Sequence, residues 1–127
     1  MKRLLGITAL LLLITGCTRE SIWCDLVLQA RMPDGESIVM LTVDPSLDGN
    51  FLRNVNTLET YDIPAFINGT ARLRVLKGLY VLAFDGVAEL EDGREKKVRF
   101  AGHTTEANAF QALEDDVTLP LTLVVLR

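Results

Sequence analysis

Apolar and polar residues alternate with a period of two through most of this chain, a pattern that predicts strands rather than helices. From Asp25 to Met32, Leu26, Leu28, Ala30 and Met32 share one face, with Val27, Gln29 and Arg31 on the other. Pro33-Asp34-Gly35 then supplies turn chemistry, because proline presets φ and glycine accepts a positive one. Ser37 to Val43 is apolar and β-branched on both faces, as a central strand is. It is expected to form a hairpin with the preceding strand.

Asp44 to Asn50 reads as a loop, and its carboxylates lack the oxygen-ligand spacing of a calcium-binding EF-hand. Phe51 to Ile63 holds no clean period; one or two short strands are expected before Pro64. Asn68-Gly69-Thr70 has the form of a glycosylation sequon, but Asn-Gly is also a tight-turn dipeptide, and the turn is the reading adopted. Beyond it, Ala71, Leu73 and Val75 alternate with Arg72 and Arg74. Lys77-Gly78 turns the chain into a long apolar strand, Leu79 to Leu90. There Tyr80, Leu82 and Phe84 oppose Leu79, Val81 and Ala83, and Asp85-Gly86 marks a bulge or bend. Glu91-Asp92-Gly93-Arg94 is a hairpin signal. The returning strand, Glu95 to Ala101, turns Val98 and Phe100 inward. Thr104 to Asp115 is Ala-rich and carries Glu106 and Glu114; a helical turn and a loop both remain open for it. Val117 to Leu126 closes the chain, with Val117, Leu119, Leu121, Leu123 and Val125 on one side, and Pro120 indicating an edge or bulge. The sum is an all-β chain: an antiparallel β-sandwich of about seven strands.

The front of the chain has a different pattern. Lys2 and Arg3 precede an apolar run from Leu4 to Ile14, broken only by Gly6 and Thr8, and Thr15-Gly16 leads into Cys17. This is the layout of a secretory signal peptide, and the run is shorter than the roughly 20 residues that span a bilayer. Ile14-Thr15-Gly16-Cys17 resembles a bacterial lipobox. The resemblance implies cleavage between Gly16 and Cys17, a diacylglyceryl group on the Cys17 sulfur and an acylated new amine. The chain then divides into a lipoprotein signal peptide (1–16), a lipidated tether (17–22) and a β-sandwich domain (23–127), with Trp23 at the domain's start. The Trp23 ring is expected to cap the open end of the core, with contact to a partner as the other possibility. Two or more acyl chains anchor a protein stably where one does not.

Without residues 1–16 the 127-residue chain keeps 111 residues, enough for one domain and too few for two. Lys2 and Arg3 leave with the leader, so the formal net charge moves from −4 to −6. An acidic surface argues against nucleic acid, whose binding relies on Lys and Arg neutralising phosphates, and against peripheral attachment to anionic lipid. With Cys17 lipidated, Cys24 has no partner within the chain. It is expected to be a small buried hydrophobe opening the first strand, the alternatives being a reactive thiol or a link between molecules. Neither His nor Lys adjoins it to lower its pKa.

Catalytic chemistry finds little support in the residues. His103, the only histidine, lies in Gly102-His103-Thr104-Thr105, with no nucleophile elbow anywhere in the chain. Glu114, Asp115 and Asp116 form a run of the solvated kind. No metal-binding or phosphate-cradling motif is present, so no catalytic residue, metal site or cofactor beyond the lipid on Cys17 is expected. Arg94, Lys96, Lys97 and Arg99 are the one basic cluster; they are expected to pair with Glu89, Glu91 and Glu95 across the hairpin.

The stretch Asn68-Gly69-Thr70-Ala71-Arg72-Leu73-Arg74-Val75-Leu76-Lys77-Gly78-Leu79-Tyr80-Val81-Leu82-Ala83 resembles prealbumin-like domains of the carboxypeptidase-regulatory type. Lys77 stands where that pattern usually has proline. The resemblance implies a sandwich in which Tyr80 packs into one end and the small Ala83 lets the facing sheet approach. A lipobox followed directly by such a domain is similar to small lipoproteins of Bacteroidetes and to the first domain of their fimbrial anchor lipoproteins, which normally carry a second domain. Thr18, not Asp, follows Cys17, which by resemblance to the bacterial sorting rule disfavours retention in the inner membrane. The expected function is a non-enzymatic binding or interaction module of the cell envelope, held in the outer membrane by its lipid, facing either the periplasm or the outside. The expected partner is a protein or a glycan. A fimbrial anchor or assembly component working by strand addition is the first alternative and would need an open sheet edge at the Pro120 strand. A small hydrolase is the second, and would need a deep pocket holding His103 or a close carboxylate pair.

Overall fold

In a computed structural model of the 127-residue chain, residues 21–100 and 109–127 are described. They contain no helix, so none is long and apolar enough to cross a membrane. Strand β1 (Trp23–Arg31) buries Cys24, Leu26 and Leu28 as the period of two requires. The Pro33-Asp34-Gly35 turn follows, with the Gly35 N–H donating to the Met32 carbonyl at 3.0 Å.

The next strand, β2 (Ile38–Val43), does not pair with β1. The expected hairpin is thus corrected: β1 has both edges filled, by β6 (Thr70–Leu76) antiparallel and β10 (Asp116–Thr122) parallel. Residues 35–37 carry the chain across to the other layer instead. There β2 pairs with the long strand β7 (Gly78–Leu90), with a register shift between Ile38 and Met40. Short strands β3 (Phe51–Asn54) and β4 (Thr60–Tyr61) fill the stretch that lacked a period. Strand β5 (Phe66–Ile67) joins β6 through the Asn68-Gly69 turn, whose φ values of 53° and 78° are both left-handed, as a two-residue hairpin demands. Strand β8 (Glu95–Phe100) returns along β7 from the 91–94 turn as expected.

Residues 109–112 form strand β9, paired with the first half of β7. Neither a helical turn nor a loop describes this part. Phe110 and Ala112 turn inward while Ala109 and Gln111 stay exposed, a period of two that alanine content conceals. Residues 113–115 are loop, one of the two expected forms, and 104–108 lie outside the described residues. After β10, Leu123 leads straight into β11 (Val124–Val125), which pairs with β8.

The strands make one mixed sheet of eleven, folded as a sandwich around one core. One layer is β10-β1-β6; the other is β2-β7-β8 with β3, β4 and β9. At one margin β5 bonds to both β2 and β6. At the other, the β10–β11 segment bonds first to β1 and then to β8, closing the hydrogen-bond circuit. The count exceeds seven because β4, β5 and β11 are two-residue pairings and β9 forms where no strand was expected. The wholly antiparallel expectation fails at β1–β10, where the last long strand runs beside the first in the same direction.

The core is apolar and aromatic. Phe66, Phe84 and Phe100 stack in sequence, with ring centres 5.7 and 6.0 Å apart. Tyr80 fills one end, fully buried, between Phe110 at 5.9 Å and Tyr61 at 6.1 Å. Burying side chains of this size contributes about 1.5–3 kcal/mol each. Ala83 does not play the expected close-packing role: its row, with Leu79 and Val81, is the outer half-buried one, and Ala88 is the alanine at zero exposure. Nor does Trp23 close the core. It stands 39% exposed, with the Arg74 guanidinium 5.5 Å above its ring.

Candidate functional site

The middle of β7 is where the sheet opens. On one flank β2 leaves it at Gly86 (partner Val43) and β3 joins at Ala83 (partner Phe51). On the other flank β8 leaves at Phe84 (partner Phe100) and β9 joins at Val81 (partner Ala109). Both neighbouring edges therefore step off β7 at one level, and the loop 44–50 projects beside it.

Asn50 fixes that loop. Its side-chain amide donates to the Asp44 carbonyl at 2.9 Å, and its Oδ1 accepts from the Asp85 N–H at 2.8 Å. Asp44 caps the first turn, accepting from the Ser46 N–H at 2.9 Å and its hydroxyl at 2.7 Å, bonds that hold its carboxyl below the usual range. Asp85 faces Arg99 as a two-pronged pair at 2.7 and 3.0 Å, and the guanidinium holds the Asp85 carboxyl below its ordinary value.

Beside this frame lies a cleft of about 350 Å³, lined by Thr42, Asp44, Leu47, Asp85, Gly86, Val87, Lys97 and Leu126. Its walls are mostly apolar. Gly86 sets the floor: a Cβ there would meet the Thr42 carbonyl oxygen at 2.8 Å and Leu41 Cδ1 at 2.9 Å. That is the close backbone approach a glycine inside a strand signals. Met40 and Ile67, a cross-strand pair, and Val87 are exposed on the same sheet face, with Glu89 opposite Met40 and with Thr42 and Lys97 flanking Val87. Exposed contiguous apolar surface is what marks a binding face.

A larger, more polar cleft of about 470 Å³ lies under the 33–35 turn, lined in part by Arg31, Glu36, Ser37, Asn68 and Glu91. Glu36 is committed there to Arg94 at 2.6 Å and Lys96 at 3.5 Å. These pairs correct the expected partners of the basic cluster. Arg94 takes Asp92 and Glu36, Arg99 takes Asp85, and Glu89 and Glu95 oppose each other across the hairpin. Asp85 stands directly opposite Arg99 in the same hairpin, a pair the register implies, whereas Glu36 comes from a segment distant in sequence and local charge alternation gave no sign of it.

Of the residues singled out from sequence, Gly16, Cys17 and His103 lie outside the described residues. Cys24 is free and fully buried, and burial, with Asp25 and Asp116 nearby, pushes its thiol above the usual range. Glu114, Asp115 and Asp116 are exposed, with Asp115 held by Lys77 at 2.6 Å. Among the described residues no group of three His, Cys, Asp or Glu gathers to hold a metal ion. Leu47, Asn50 and Leu126 were not anticipated at the cleft. Leu47 carried a signal, being the single large apolar residue in a polar loop. Comparisons with protein-family models, with curated proteins and with solved structures find no match, so the prealbumin-like resemblance rests on its sixteen-residue stretch.

Proposed function

We propose that this protein is a lipid-anchored, non-catalytic binding module of the cell envelope, held at the outer membrane through Cys17. The observation that carries the binding role is the apolar cleft at Gly86, on the sheet face that also exposes the Met40–Ile67 pair. Its lining contains no aromatic ring to stack on a sugar, which favours a protein segment over a glycan as occupant. Loop 44–50, pinned through Asn50, presents Leu47 at the cleft's rim without first having to be ordered on binding, which lowers the entropic cost of association.

A photo-crosslinking residue in place of Val87, in the lipidated protein within its native membrane, tests this. A single discrete adduct is expected, suppressed by Leu47→Asp and absent when the crosslinker replaces Arg72, exposed on the other layer. Equal labelling from both positions, or none at Val87, contradicts the proposal.

Strand addition has one observation in its favour: the outer edge of β10 pairs with no strand among the described residues. Asp115 accepts from Asp25, and the Leu123 N–H donates to Arg31, so odd-numbered residues face β1 and Asp116, Thr118, Pro120 and Thr122 face outward. A donated strand would slow hydrogen exchange at the Thr118 and Thr122 amides on binding; unchanged exchange in the complex would rule it out.

A further inference from the structure

Eleven large apolar side chains stand exposed among the described residues, and five of them, Ile22, Trp23, Val55, Leu58 and Leu113, collect at one end of the sandwich. The corner between β6 and β7 gathers them. Trp23 pairs with Leu76, and the Ile22 carbonyl accepts from the Lys77 N–H at 2.8 Å. The Val55 N–H donates to the Leu79 carbonyl at 2.8 Å, and Leu113 follows Ala112, the partner of Gly78.

Leu58 is built to be there. Its φ of 62° is left-handed, a conformation that a bulky side chain adopts at a cost, and the side chain is 69% exposed. Folding alone favours glycine or asparagine at such a position and a polar tip. The turn that presents it is nonetheless well made. Buried Asn54 accepts from the Asn56 and Thr57 N–H groups at 2.9 and 3.0 Å, and its carbonyl takes the Leu58 N–H at 2.9 Å.

The chain runs toward Cys17 from this same end. Four residues separate Cys17 from Ile22, five Cα-to-Cα steps, a contour of no more than about 18 Å. We propose that this apolar end seats on the surface of a phospholipid bilayer, with Trp23, Leu58 and their neighbours entering the boundary between headgroups and acyl chains. The inference rests on the reading of Cys17 as lipidated and adds to it a fixed orientation of the domain. Charge selects the kind of surface. Glu114, Asp115 and Asp116 are exposed here, Lys77 is bound to Asp115, and Arg74 lies over Trp23 and 4.0 Å from Asp25. Little positive charge is left for anionic lipid, so the fitting surface is zwitterionic. Tryptophan suits that interface, with an apolar ring and one polar N–H.

Trp23 is the only tryptophan in the chain, so its fluorescence reports on this end alone. The test uses the full lipidated protein in phosphatidylcholine vesicles, with and without bromine on the acyl chains. Bromine is expected to quench Trp23 by roughly twofold or more, as it does a ring at interfacial depth, while aqueous acrylamide loses access. Leu58→Asp should reverse both effects. Leu58→Gly should retain the melting temperature, because glycine accepts the backbone conformation, and still weaken bromine quenching. Replacing half of the lipid by an anionic one should weaken it too. Protein that floats with the vesicles but is not quenched by bromine overturns the docking while leaving the anchor intact. Shielding from both quenchers overturns it in favour of a second copy covering this end. Failure to float at all removes the anchor reading, and this inference with it.

Discussion

Tyr80 and Cys24 are both at zero exposure, and their acid–base behaviour gives the fold a pH limit on the alkaline side. Burial, reinforced by Tyr61, pushes the Tyr80 hydroxyl up to about 12, from an ordinary 10.0; burial likewise raises the Cys24 thiol above 9.0. Unfolded, each group releases its proton near its ordinary value. Their contribution to stability is therefore complete below pH 9 and is lost as pH rises through the raised values. Tyr80 also donates to the Leu76 carbonyl at 2.5 Å. Tyr80→Phe should cost about 1 kcal/mol at pH 7 and flatten the loss of stability between roughly pH 10 and 12. Urea titrations at several pH values check this, and an unchanged pH profile would contradict it. Cys24 should react with thiol reagents only at the rate at which the protein opens; fast labelling of the native state would show an accessible thiol. The burial of Cys24 was readable from residue type and strand position, and that of Tyr80 was implied by the resemblance of its stretch. The Glu36 ion pairs were not readable, because Glu36 meets Arg94 and Lys96 only once the segment before β2 lies against the β7–β8 hairpin.

Among the elements, β7 decides most. Its inner row is continuous, but its neighbours change halfway along, and Gly86 lets β2 approach there. Gly86→Ala should destabilise by about 1–3 kcal/mol, since the new methyl group meets backbone oxygen and a packed leucine. It should also displace Thr42 at the cleft and weaken the Val87 crosslink. Thermal unfolding together with crosslink yield measures both effects, and wild-type values in either would contradict the close approach. Pro120 belongs to a different case. Its nitrogen faces away from β1, so the missing N–H costs the β1–β10 ladder nothing and removes one donor from an edge that is unpaired among the described residues. Pro120→Ala should leave stability within about 0.5 kcal/mol and increase self-association in sedimentation experiments. A large loss of stability with no association would place the proline elsewhere in the pairing. Strand positions were legible wherever the period of two held, through β1, β6, β7, β8 and β10. Partner choice was not, because a turn such as 33–35 reverses the chain without saying which edge is free.

For the whole molecule, the sandwich class follows from counting strands and turns, whereas the closed circuit through β10 and β11 depends on pairings between the two ends of the chain. The cleft was hidden for the same reason: Thr42, Leu47, Val87, Lys97 and Leu126 come from four separate segments. The apolar end around Leu58 was equally out of view, since single exposed leucines carry no message until they are seen together. In the function proposed above, lipidation of Cys17 puts the domain at a membrane, and the apolar end around Leu58 is the part that faces it. Intact mass measurement of the mature protein, extracted with detergent from its own membrane, tests that modification most directly. A chain beginning at Cys17 and heavier than its residues by two or three acyl groups is the expected result. A chain starting at any other residue, with no added mass, would contradict the account.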